Sequence, residues 1–143
     1  METKKFKPLF DKLYWTISIP TAAVLIVVTA AVAAFAPTTL LWMLPLDLFV
    51  FYFLISPIFG YVELREEILF IKYGFILKKE IPYSKIRTVE KDRKFYSESM
   101  MSLKNAVENV NIKYNTYDVT TVSVINNDDF ILELDERRLN KVI

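Results

Sequence analysis

The chain has no cysteine and no histidine, and only two of its 143 residues are glycine. Without cysteine there is neither a disulfide framework nor a cysteine redox centre. Together the two absences remove a histidine-assisted serine nucleophile, a Cys-His pair and the usual mixed metal sites. Gly60 and Gly74 are too far apart to make a phosphate-cradling glycine loop. Carboxylates remain: Glu66 and Glu67 are adjacent, as are Asp128 and Asp129. In a turn or a first helical turn such neighbours read as solvated or capping groups, so the chain reads as nonenzymatic, with no cofactor and no metal. An excess of one charge is also missing. The net charge is +1, and with no arginine-rich arm or recognition helix no nucleic-acid partner is expected.

Apolar sequence is what the chain has in quantity. Thr16 to Ala36 holds no charged residue and would make a helix of about 31 Å at 1.5 Å per residue. Leu40 to Val62 holds one charge, Asp47, and would run about 34 Å. Either length crosses a bilayer core, and the break Pro37, Thr38, Thr39 leaves room only for an antiparallel hairpin. Two other readings compete. A signal peptide fits the basic start and first apolar run, but the second run would then open a soluble protein with an exposed membrane-length helix. A buried soluble pair fails because the 81 residues after Val62 are too few to wrap it.

Lys4, Lys5, Lys7 and Lys12 precede the first run, none lies in the break, and Arg65, Lys72, Lys78 and Lys79 follow the second. The positive-inside rule then puts both termini in the cytoplasm of a two-pass protein of a bacterial cytoplasmic membrane. Trp15, Trp42, Tyr14 and Tyr61 fall near helix ends, where amphipathic rings suit the headgroup layer. The expected organisation is a cytoplasmic lead over 1–15, a transmembrane helical hairpin over 16–62 and a cytoplasmic domain over 63–143. The lead has two readings: Phe6, Leu9 and Leu13 on a helical face lying on the membrane while the Lys chains reach anionic headgroups, or a segment that only fixes orientation.

Pro20 is tolerable if the first helix starts near Ser18, and Ala23, Ala30 and Ala34 offer a small-residue face for close approach. Asp47, the one intramembrane polar candidate, has two readings as well. With Pro45 opening the helix it caps a first turn, or is shallowly buried, near the outer headgroups; otherwise it is a functional intramembrane acid. Ser56, Pro57 and Gly60 bend the chain toward the soluble part.

From Tyr61 the periodicity becomes that of strands. Tyr61 to Leu64 is a strand or the end of the helix. Ile68 to Tyr73 and Phe75 to Ile81 read as a hairpin whose turn uses the freedom of Gly74. Ile86 to Lys91, Val110 to Tyr114 and Val119 to Ile125 are further strands, around an irregular stretch over 92–109. That stretch gives the candidate binding surface, Lys91, Arg93, Lys94, Met100 and Met101, since loops on a β scaffold carry binding residues and methionine supplies adaptable apolar contact. Lys78 and Lys79 are candidate lipid-facing residues. Asn126 is placed to cap a helix from Asn127 to about Lys141, with Phe130, Leu132 and Leu134 open to a strand reading as well.

A membrane hairpin, six or seven short strands and a closing C-terminal helix describe an α+β PH-like domain: a small bent antiparallel sheet or partly open barrel closed by the helix. The sequence resembles the YyaB-like family of bacterial PH domains in EEILFIKYG (66–74), IPYSKI (81–86), SMMSL (99–103), VNIKY (110–114) and SVINNDDF (123–130). Asn126 stands where that family often has proline. The resemblance covers about Tyr61 to Leu139, and family members often carry an N-terminal pair of membrane helices. It implies no phosphoinositide site. The expected function is a membrane-anchored interaction module binding a protein partner or a second copy of itself. The alternatives are an immunity protein against a membrane-active bacteriocin and an anionic lipid-headgroup binder.

Overall fold

The computed structural model describes residues 2–93, 102–103 and 106–142. The chain opens with a strand, β1 (Lys4–Phe6), before any helix. Asp11 then starts α1 (Lys12–Phe35) by accepting the Tyr14 N–H on Oδ1 at 3.2 Å. Ala36 alone links α1 to α2 (Pro37–Ile55), with Pro37 at the first helical position. Hydrogen bonds from Tyr14 to the Leu54 carbonyl and from Thr29 to Asp47 show that the helices run antiparallel. Both are long and apolar enough to cross a membrane. No residue of α1 is buried, and the outer faces stay bare, Val27 at 66% and Leu48 at 70% exposure.

The helices differ from their expected bounds at both ends. α1 begins at Lys12, so Pro20 lies more than two turns inside it. Beyond Ile55 the chain tightens into a 3-10 turn, Ser56–Phe59, which the Gly60 N–H closes on the Pro57 carbonyl at 3.1 Å. Tyr61 to Leu64 is then a strand, β2 (Tyr61–Leu64), and does not continue the helix.

β2 lies between β1 and β3 (Ile68–Lys72), and β3 pairs with β4 (Lys78–Pro82), all antiparallel. A short 3-10 turn over Tyr83–Lys85 leads to a second four-stranded sheet. Its order is β5 (Ile86–Arg93), β7 (Glu108–Tyr114), β8 (Asp118–Val122) and β6 (Ser102–Leu103), and the β6–β8 pair is parallel where an antiparallel sheet was expected. The connection of β7 to β8 turns at Asn115, which takes φ 51°, a left-handed conformation that asparagine tolerates.

Apolar residues on the inner faces, among them Leu64, Ile71, Ile112 and Val122, are fully buried. The last helix, α3 (Asn127–Val142), adds Phe130 and Leu134 to that core. Asn126 does not have the extended geometry of an N-cap; at φ 63° it makes a left-handed turn, while Asn127 Oδ1 accepts the Val124 N–H. Buried Arg137 fastens α3 to the rest. Its guanidinium donates to the carbonyls of Leu64, Arg65 and Glu2 and to the Glu133 carboxylate.

The lead is neither a surface helix nor a loose tail. Phe6 is buried edge-on against Phe130 at 5.2 Å. Leu9 N donates to the Ser123 carbonyl and Ile125 N to that of Lys7, and Val107 N donates to Asp11 Oδ2 at 2.8 Å. Residues 4–11 thus strap one sheet to the other.

Candidate functional site

The helical hairpin and the domain meet in a fitted joint. Ser56, buried at the end of α2, accepts the Phe75 N–H on Oγ at 3.2 Å. Gly74 lies directly against it: a Cβ there would stand 1.8 Å from that oxygen and 3.0 Å from Ser56 Cβ. Glycine is required for space, since no glycine has positive φ. Gly60 is the same case, with Leu103 Cδ1 and the Lys72 carbonyl where its Cβ would be. Residues 73–77, which the sequence pattern assigns mostly to strands, instead connect β3 to β4 and turn Phe75, Ile76 and Leu77 outward. The Phe75 ring packs on Phe59 at 4.6 Å and Tyr52 at 5.8 Å, in line with the apolar hairpin.

Strand register sorts the charges beside this joint. Directly paired residues share a face, so Tyr61, Lys72 and Lys78 form the outer rung nearest the hairpin, and Lys5, Glu63, Phe70 and Glu80 form the next. Arg65 engages both acids of the second rung, at 2.7 Å from Glu63 and 3.8 Å from Glu80. Lys5 and Lys72 instead reach the Tyr61 ring, with Nζ atoms 3.9 and 5.7 Å from its centroid. Among the described residues no ion pair joins Lys5, Lys7, Lys72 or Lys78 to a carboxylate. Lys5 and Lys7 also line an open cleft of about 380 Å³ with Phe10, Ile58, Phe59 and Tyr61.

The two lysines nominated together on β4, Lys78 and Lys79, do not share a face. Lys78 is exposed on the outer face, but strand alternation sends Lys79 to the other side, its Nζ 4.7 Å from the Tyr114 ring. Lys91 on β5 pairs with Asp128 at 2.9 Å, and this hydrogen bond raises the lysine's pKa. Arg93 is exposed at the end of the same strand. Lys94, Met100 and Met101 lie outside the described residues. Among the described residues β5 is an edge strand, laddered on one side to β7.

Asp47 is no helix cap. α2 runs unbroken through Pro45 and Asp47 is buried in it, facing α1, where Thr29 Oγ1 donates to Oδ2 at 2.8 Å and Oδ1 has no partner. In the domain, burial pushes the Tyr73 hydroxyl up to about 12 although Thr120 bonds it at 2.6 Å. The Arg137 hydrogen bond holds Glu133 below the usual carboxylate range. Among the described residues no three acids gather to hold a metal ion.

Two small sheets with a C-terminal helix packed into their core, preceded by two long apolar helices, make an α+β arrangement of the PH type, generally a noncatalytic interaction module. The family model for the bacterial PH domain matches residues 60–138. The chain belongs to that family, and its PH-type fold is consistent with a nonenzymatic protein. No curated protein and no solved structure gives a significant match. The matched span begins at Gly60, so the strap over 4–11 and the lysines it carries lie outside it. Sequence reasoning misses the strap because a three-residue strand is too short for any periodicity to register, although it does offer the lysines to anionic headgroups, from a surface helix.

Proposed function

We propose that this protein is a membrane-anchored interaction module on the inner face of a bacterial cytoplasmic membrane, presenting its PH domain to a protein partner. The β1–β2 ladder carries the anchoring. Lys4 pairs with Leu64, Lys5 with Glu63 and Phe6 with Val62, so the chain enters and leaves the hairpin through adjacent strands of one sheet. That supports two crossings with both ends on one side, and cleavage after the first helix would remove Phe6 from the core. The lysines at the hairpin base support a cytoplasmic side. The outer edge of β5, which no other strand covers among the described residues, supports a protein partner, because an edge strand and the exposed Arg93 side chain offer backbone and charged contacts together. The binding surface comprises Lys91, Arg93, Lys94, Met100 and Met101.

The test is a photo-crosslinking residue at Arg93 or, separately, at Leu48, in the full chain in intact cells. A protein captured from Arg93 and lost in the Lys91→Gln, Lys94→Gln variant supports the reading. Capture from Leu48 alone moves the function to the hairpin.

A further inference from the structure

Among the described residues none of the lysines nearest the hairpin forms an ion pair with a carboxylate. Lys5 and Lys7 come from the strap, and Lys72 comes from β3. Two of the three ammonium groups converge on the Tyr61 ring, at 3.9 and 5.7 Å, which holds cations by its quadrupole without neutralising them. The carboxylate opposite Lys5, Glu63, is already bonded to Arg65 at 2.7 Å, and among the described residues no acid lines the cleft that Lys5 and Lys7 border. Its other wall is apolar and is made where the chain joins the helices, by Phe10 on one leg and Ile58 and Phe59 on the other.

We infer that this cleft is a binding site for one anionic phospholipid of the leaflet facing the domain. The phosphate sits in the cleft at Lys5 and Lys7, with Tyr61 beneath and Lys72 adding its charge from beyond the lining, across that ring, and the acyl chains descend along Phe10, Ile58 and Phe59 onto the hairpin. Charge complementarity and the position at the base of two bilayer-length helices select this occupant, since a soluble anion would leave the apolar wall uncovered. The site rests on the reading that the hairpin crosses a membrane. It is separate from the β5 edge proposed for a protein.

The full chain is reconstituted in vesicles of equal phosphatidylglycerol and phosphatidylcholine, extracted in mild detergent, and its retained lipid measured by mass spectrometry. Wild type is expected to retain phosphatidylglycerol over phosphatidylcholine. Each lysine near an anionic surface contributes roughly fivefold in affinity, so Lys5→Gln, Lys7→Gln, Lys72→Gln is expected to cut that preference by more than about tenfold. A control with the same charge change, Lys85→Gln, Arg87→Gln, Lys113→Gln, should keep it. No preference in wild type, an unchanged preference in the first variant, or an equal loss in the control overturns the site. Alkaline carbonate washing is run beside it. A chain that washes off the vesicles refutes the hairpin reading and the site together, whereas one that stays but shows no preference refutes only the site.

Discussion

Replacing Gly74 with alanine tests whether the domain is fitted to the hairpin or merely tethered to it. The new Cβ would stand 1.8 Å from Ser56 Oγ, 3.0 Å from Ser56 Cβ and 3.2 Å from the Ser56 carbonyl oxygen. The hydroxyl must rotate away, which costs the Phe75 N–H its acceptor. Overpacking costs about 1–3 kcal/mol and the lost hydrogen bond about 0.5–1.5 kcal/mol, so Gly74→Ala should destabilise the domain by about 3 kcal/mol. Ser56→Ala alone loses the hydrogen bond, about 1 kcal/mol. In the double variant the hydroxyl oxygen is gone and only the 3.0 Å contact to Cβ and the 3.2 Å contact to the backbone carbonyl oxygen remain, so its cost should fall below that of Gly74→Ala by about 1 kcal/mol. The assay is thermal melting of the reconstituted chain by far-UV circular dichroism, where 1 kcal/mol corresponds to roughly 4–8 °C for a domain of this size. A neutral Gly74→Ala refutes the fitted joint. Additive costs refute the assignment of the clash to the serine oxygen.

Arg137→Met should cost about 3 kcal/mol, because it strands three carbonyls and a carboxylate that the buried guanidinium now satisfies; an equally stable variant in urea denaturation would show that the staple is redundant. The lowered pKa of Glu133 contributes stability above the ordinary carboxylate value of 4.5 that is lost as pH falls through the folded value. Acid denaturation of Arg137→Met should lack that component, and an unchanged acid limb would dismiss the pair. Tyr73 acts at the other end. Its pKa is raised, so the folded chain keeps a proton that the unfolded chain releases near 10, and stability should fall as pH rises from 10 toward about 12; Tyr73→Phe should flatten that limb, and an identical slope would count against it. Thr29→Val should loosen the helix pair by about 0.6–1.7 kcal/mol in SDS-induced unfolding by leaving both Asp47 oxygens unpartnered, with no change the contrary result. The absence of native cysteine makes single-cysteine mapping clean: Thr38→Cys should label from outside the cell and Glu136→Cys only after permeabilisation, and the reverse pattern would invert the proposed orientation.

Hydropathy alone makes the helix pair legible, and the shift to alternation makes β3, β5, β7 and β8 legible, because these are long patterns that one physical demand imposes at every residue. What escaped it depends on contacts between distant segments. Gly74 reads as a flexible turn until Ser56 is seen in the space beside it. Lys78 and Lys79 read as one patch, yet the pleat sends adjacent residues to opposite faces. Pro45 reads as a helix opening, but α2 continues through it and carries Asp47 into the interface with α1. For the candidate surface alternation locates the strand from Ile86 to Lys91 but leaves Arg93 to the irregular stretch, whereas β5 continues to Arg93, and it does not foresee that Lys91 is engaged by Asp128 on α3.

How closely the domain is held bears on what it can bind. A flexible linker of six residues would let it wander by about 12–15 Å, blurring any relation between its faces and the bilayer. Here Gly60 is the single residue between the 3-10 turn that ends α2 and the strand β2, and it is packed against Leu103 and the Lys72 carbonyl. On the other leg, residues 7–11 are fixed at Leu9 by Ser123 and at Asp11 by Val107. Neither connection has slack, and Ser56, Gly74 and Phe75 lock the remaining rotation. The lysine rung is therefore held at the hairpin base whatever the rest of the domain contacts, and a partner at the β5 edge meets a surface of fixed orientation. Such a module forgoes reach and gains preorganisation, since the orientational cost of binding is met in folding and need not be met again when the partner arrives.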